Sequence, residues 1–75
     1  TVFPNPTQNK LNIYFDNAVS NASIEIKDME GRIMYHEIQV NGNSFQIDLS
    51  SYETGIYTLE IRQNNEHLIQ KIMKY

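Results

Sequence analysis

Residues 44–62 read SFQIDLSSYETGIYTLEIR, two strand patterns with the chemistry of a connection between them. Phe45, Ile47 and Leu49 alternate with Gln46 and Asp48; after a polar break, Tyr57, Leu59 and Ile61 alternate with Thr58, Glu60 and Arg62. Apolar residues at every second position set one face of an extended chain against a core, so both segments are expected as strands. Ser50, Ser51, Glu53, Thr54 and Gly55 supply short polar side chains and a permissive glycine for the connection.

Toward the C-terminus, Gln63-Asn64-Asn65-Glu66 reads as a hairpin loop and His67 to Tyr75 as a last strand. There Leu68 and Ile72 compete with Ile69 and Met73 for the core face. Toward the N-terminus, Asn41-Gly42-Asn43 is a hairpin signal, since Asn and Gly tolerate the left-handed conformations of primed turns. The strand expected before it, Ile33 to Val40, carries apolar residues on both faces, which a bulge or an edge position would explain. Met29-Glu30-Gly31-Arg32 is a tight connection in which Gly31 adopts positive φ without a Cβ clash. Ile24 and Ile26 face inward on the strand over 22–28, and Asp16 to Asn21 is expected as a loop. Leu11, Ile13 and Phe15 mark another strand, and Val2-Phe3 a short first one. Pro4 and Pro6, around Asn5, bar helix and lock a turn. About seven short strands at this spacing predict an all-β domain, an antiparallel β-sandwich.

Seventy-five residues make a single domain over 1–75, with a thin core and no cleft between domains. A chain that is 40% hydrophobic and 20% charged is ordinary globular material. Net charge −3 with scattered basic residues argues against a nucleic-acid partner, and no apolar run is long enough for a membrane span. Without cysteine there is no disulfide framework and no thiolate chemistry. Thr1 in place of a starting Met suggests a fragment of a longer protein.

The run Glu53-Thr54-Gly55-Ile56-Tyr57-Thr58-Leu59 resembles the start of strand F in immunoglobulin-like sandwiches, with Leu59 in the position of the inter-sheet Cys. That resemblance implies a tyrosine-corner role for Tyr57, ring inward and hydroxyl returned to nearby backbone. The alternative is an aromatic on a half-buried strand with no such bond.

The order of motifs carries a wider resemblance. Val2-Phe3-Pro4-Asn5-Pro6 precedes Leu11-Asn12-Ile13. Ile24-Glu25-Ile26 leads to Gly31-Arg32-Ile33, then Ile47-Asp48-Leu49 to Gly55-Ile56-Tyr57, with Lys71-Ile72-Met73-Lys74 at the end. Over all 75 residues this resembles the type A C-terminal sorting domain of the type IX secretion system, the Por secretion tail family of exported Bacteroidetes proteins. Phe3 in place of the more usual Tyr, and Tyr75 beyond the closing lysine, are small departures.

The resemblance implies a small immunoglobulin-like sandwich and a removable address tag with no catalytic, cofactor or metal residues. It implies a covalently attached N-terminal passenger, an outer-membrane translocon and a sortase-like protease as partners. The route runs through the periplasm to the cell surface or the exterior. Pro4, Asn5, Pro6, Gly31, Gly55, Tyr57, Lys71 and Lys74 are its candidate recognition or motif residues. The last strand offers an edge for strand addition, and the sheet edges leave room for a weak dimer; Lys71 and Lys74 either read an acidic receptor or guard that edge against aggregation.

Candidate chemistry elsewhere is thin. Asp28 and Glu30 read as solvated turn carboxylates, because paired-carboxylate catalysis needs a cleft. His36 and His67 without a tight acidic cluster make a poor metal site, and Asp16, Asp28 and Asp48 lack a calcium-loop spacing. Ser50 and Ser51 lack a nucleophile elbow. The five tyrosines raise one rival, a carbohydrate-binding module stacking sugars on coplanar exposed rings; a fibronectin-like spacer is another.

Overall fold

The computed structural model describes residues 2–3 and 9–75. Five strands follow in order: β1 (Val2–Phe3), β2 (Lys10–Lys27), β3 (Ile33–Asp48), β4 (Gly55–Gln63) and β5 (Glu66–Lys74). Every pairing is antiparallel, so the chain is all-β as its alternation requires. The hydrogen-bonded path runs β1-β2-β4-β5, and β3 lies on β2 off that path. This is one open sheet, not a sandwich of seven short strands.

The count falls because two expected breaks are not chain reversals. Asp16 to Asn21 stays inside β2, and Asn41-Gly42-Asn43 stays inside β3, where a hairpin turn was expected. The two long strands pair with each other throughout, from Lys10–Asp48 to Lys27–Ile33. In the middle β2 advances from Tyr14 to Val19 while β3 advances only from Ser44 to Gly42, so β2 carries a bulge. Asn21 (φ 57°), Gln39 (φ 57°) and Gly42 (φ 111°) adopt left-handed backbone there. The Asn41 side chain ties the segment across strands: its Oδ1 accepts from Asn21 N at 3.0 Å and its Nδ2 donates to Gln39 O at 3.0 Å. The Asn-Gly chemistry is spent on bending a strand instead of ending it.

The bend is large. Eighteen residues of straight strand would span about 60 Å, yet the longest dimension of the molecule is 31 Å. Folding the β2–β3 hairpin over brings Leu11, Ile13 and Ile47 from one half into one core with Ile24, Ile26, Leu59 and Ile72. The change of frame on β3 has the same origin. Ile38 and Val40 would share a face, but left-handed Gln39 between them leaves Ile38 exposed and buries Val40.

At the other end of the hairpin Asp28 closes the turn into β3. Its Oδ1 accepts from Glu30 N and Arg32 N, both at 2.9 Å, and its Oδ2 from Arg32 Nε at 2.7 Å. The Arg32 backbone N–H, with the Arg32 side chain and Glu30 N–H behind it, holds the Asp28 carboxyl below the usual carboxylate range against a partial desolvation penalty. Gly31 sits in this turn at φ 85°, as its position predicts. Gly55 has no such conformation, and a Cβ there would meet nothing within 4 Å.

Gly31→Ala is therefore expected to cost about 1 kcal/mol or more, whereas Gly55→Ala should stay within about 0.5 kcal/mol of the parent. Urea unfolding of the two variants decides; equal losses would remove the backbone argument.

Candidate recognition surface

Five of the sequence-predicted residues meet at one end of the sheet. Gly55 is the register partner of Lys74, Tyr57 of Ile72, and Thr58 of Lys71. Thr58 also faces Lys27, the last residue of β2, after which the turn holding Gly31 begins. Residues 31, 55, 57, 71 and 74 thus converge, because antiparallel pairing places the end of β2, the start of β4 and the end of β5 side by side. Pro4, Asn5 and Pro6 lie outside the described residues.

Tyr57 is buried, and its hydroxyl donates to Glu53 O at 2.7 Å, the tyrosine corner that the spelling implies. The ring also meets Tyr52, centroids 5.4 Å apart and planes at 57°. Tyr52 in turn donates its hydroxyl to Met34 O at 3.1 Å, tying the loop after β3 to the start of that strand. Sequence reading missed Tyr52; its alternation with nothing on either side gave no signal.

The two C-terminal lysines differ. Lys71 is exposed on the same face as Ile69 and Met73, themselves 59% and 46% exposed. Lys74 points to the other face, is 7% exposed, and donates from Nζ to Tyr75 O at 3.3 Å. Of the two lysines, Lys71 presents its charge at the surface of β5, which has β4 as its sheet neighbour.

One polar cluster was not anticipated. Glu60 lies on the face of β4 opposite Leu59 and Ile61, yet it is only 8% exposed. Arg62 Nε donates to its Oε2 at 2.7 Å, His67 Nε2 contacts the same oxygen, and Lys27 Nζ stands 4.0 Å from Oε1. The Arg62 hydrogen bond, then those of His67 and both positive charges, lower the Glu60 pKa despite the penalty of burial. The cluster joins β2, β4 and β5 side by side. Its sequence signal is Glu25, Lys27, Glu60, Arg62 and His67 at alternate positions, which becomes a cluster only when the register is known.

Among the described residues no group of three or more His, Cys, Asp or Glu side chains is arranged to hold a metal ion. Nor do the tyrosines form a sugar platform. Tyr57 is buried and Tyr35 and Tyr52 half-buried, while of the exposed pair Tyr14 lies within β2 and Tyr75 just past the end of β5. Tyr35–Phe45 and Tyr52–Tyr57 are tilted ring contacts and not a coplanar row.

Removing the corner hydroxyl with Tyr57→Phe is expected to cost about 1 kcal/mol, read from the denaturation midpoint; an unchanged midpoint would show the bond to be idle. The lowered Glu60 pKa stabilises the fold above the unfolded glutamate value, and that stability is lost as pH falls through the folded value. Thermal melts on an acid series should therefore decline more steeply for the parent than for Glu60→Gln. Asp28 and Asp48, also lowered, leave the variant a residual slope in the same direction.

No curated protein matches the chain. The family model described as secretion system C-terminal sorting domain matches residues 1–75, the full length on which the motif order rests. The chain belongs to that family of C-terminal sorting domains, non-enzymatic tags that engage the secretion machinery and address proteins to type IX secretion across the outer membrane.

Proposed function

We propose that residues 1–75 act as a removable address. A passenger attached ahead of residue 1 is carried to the outer-membrane translocon, which reads the folded domain; a sortase-like protease then cuts on the N-terminal side. The route runs from the periplasm to the cell surface or the exterior. The observation that carries this reading is the family match over the whole chain. A single core drawn from β2, β3, β4 and β5 supports it, because a tag read on unrelated passengers needs to fold without their help.

The converging end of the sheet is the reading surface. Gly31 shapes its turn, Tyr57 fixes the loop before β4, and Lys71 on β5 supplies exposed positive charge beside Ile69 and Met73. The edge of β5 suits strand addition by a receptor, with Lys71 selecting an acidic neighbour. Lys74 works from within, as part of the packing. Gly55, Pro4, Asn5 and Pro6 complete the motif set, and the same edges admit a weak dimer. The folded-over hairpin supports describing the domain as a small immunoglobulin-like sandwich whose two bent strands serve both layers.

A fluorescent passenger with a signal peptide, fused ahead of Thr1 to Tyr75, tests the address. It is expected outside a cell with a working type IX system and retained in the periplasm of one lacking the translocon. Retention in both, with the domain folded, would overturn the reading. Lys71→Glu is expected to reduce export at an unchanged melting temperature; full export would remove Lys71 from the reading surface.

A further inference from the structure

The bulge in β2 has a product besides the bend. It opens a groove of about 450 Å³ between the first half of β2 and the β4–β5 hairpin, where β5 contributes its first residues, Glu66 to Leu68. Phe15 and Val19 form one wall and Ile61 and Leu68 the other. Ile61 and Leu68 are register partners, but Ile61 is 6% exposed and Leu68 49%, so the core breaks the surface here. The bulged wall is fixed in place: Ser20 N donates to Gln63 Oε1 at 3.1 Å, joining it to the end of β4. Side-chain acceptors thus replace ladder partners along the bulge, Gln63 for Ser20 and Asn41 for Asn21.

Its rim is acidic. Asp16 on β2 and Glu66 at the start of β5 both line it, and neither forms a salt bridge among the described residues. His67, which also lines it, is occupied by Glu60. An apolar floor between two carboxylates selects an apolar side chain flanked by positive charge. We propose that this groove is a second docking site of the sorting domain, taking an aliphatic or aromatic side chain bracketed by lysine or arginine on a polypeptide of the secretion machinery. The proposal rests on the sorting reading above, and Lys71 does not line the groove, so the two surfaces can be substituted separately.

The passenger fusion provides the test. Asp16→Lys with Glu66→Lys is expected to lower export at least about tenfold, the scale on which reversed rim charge alters steered association, with the melting temperature unchanged. Leu68→Ser should lower it as well, and Glu37→Lys on β3, outside the groove, should not. If the double reversal does not melt cooperatively, Asp16→Asn with Glu66→Gln replaces it, with a smaller loss expected. Parent-level export by the folded groove variants would overturn the groove while leaving the address intact. Failure of the parent fusion itself would instead overturn the sorting reading. Sedimentation of the 75-residue chain supplies the remaining outcome: a dimer that the same reversals dissolve would place a second copy in the groove and overturn the proposal.

Discussion

Strand β2 is the member on which every other pairing except one depends. It carries β1 and β3 along its first half and β3 and β4 along its second, and only β5 reaches the sheet through another strand. A strand of that length cannot remain straight in a domain this small without stranding half of its apolar residues away from the core. The bulge, the left-handed residues at 21, 39 and 42 and the Asn41 bridge are the local answer. They cost backbone strain at Gln39, where no glycine relieves it, and the single shared core offsets that cost. The domain thus obtains two core-facing segments from each of two strands, with no turn between them.

Two polar arrangements then hold β4 and its surroundings from opposite faces. On the core side, Tyr57 and Tyr52 brace the loop between β3 and β4 through bonds to Glu53 O and Met34 O. On the outer side, Glu60 gathers Lys27, Arg62 and His67 across three strands. The second weakens in acid, as the Glu60 carboxylate that holds it together takes up a proton. With no cysteine in the chain, these side-chain bonds take the place that disulfides occupy in many small exported domains.

Alternation made most of the strand content legible. Leu11 and Ile13, Ile24 and Ile26, and Tyr57, Leu59 and Ile61 are all core residues, as their period of two requires. Gly31 and the Asn64 turn followed from local chemistry alone. Asn41-Gly42-Asn43 misled because the same tolerance of positive φ serves a hairpin turn and a bulge, and what separates them is whether the flanking strands pair with each other or with a third. β3 pairs with β2 on both sides of Gly42, a non-local fact. The site divides in the same way. The tyrosine corner of Tyr57 was readable from its neighbours, whereas the burial of Lys74, whose Nζ donates to Tyr75 O, carried no local signal. The Glu60 cluster and the groove were invisible because each draws on strands whose register no local pattern sets.

The connectivity has a consequence for how the domain is assembled. Three of the four strand pairings among the described residues join neighbours in sequence. The exception is β2 with β4, a seam of five register pairs from Ser23–Arg62 to Lys27–Thr58. The molecule is therefore two hairpins joined along one line, with Ile24, Ile26, Leu59 and Ile61 on its buried side and the Glu60 cluster on the other. Each hairpin zips outward from its own turn, so the loop-closure entropy of the seam falls on the one step in which the second hairpin docks on the first. That step commits the whole core, so the hairpin at the C-terminus is the part whose arrival turns a partly ordered chain into a finished one.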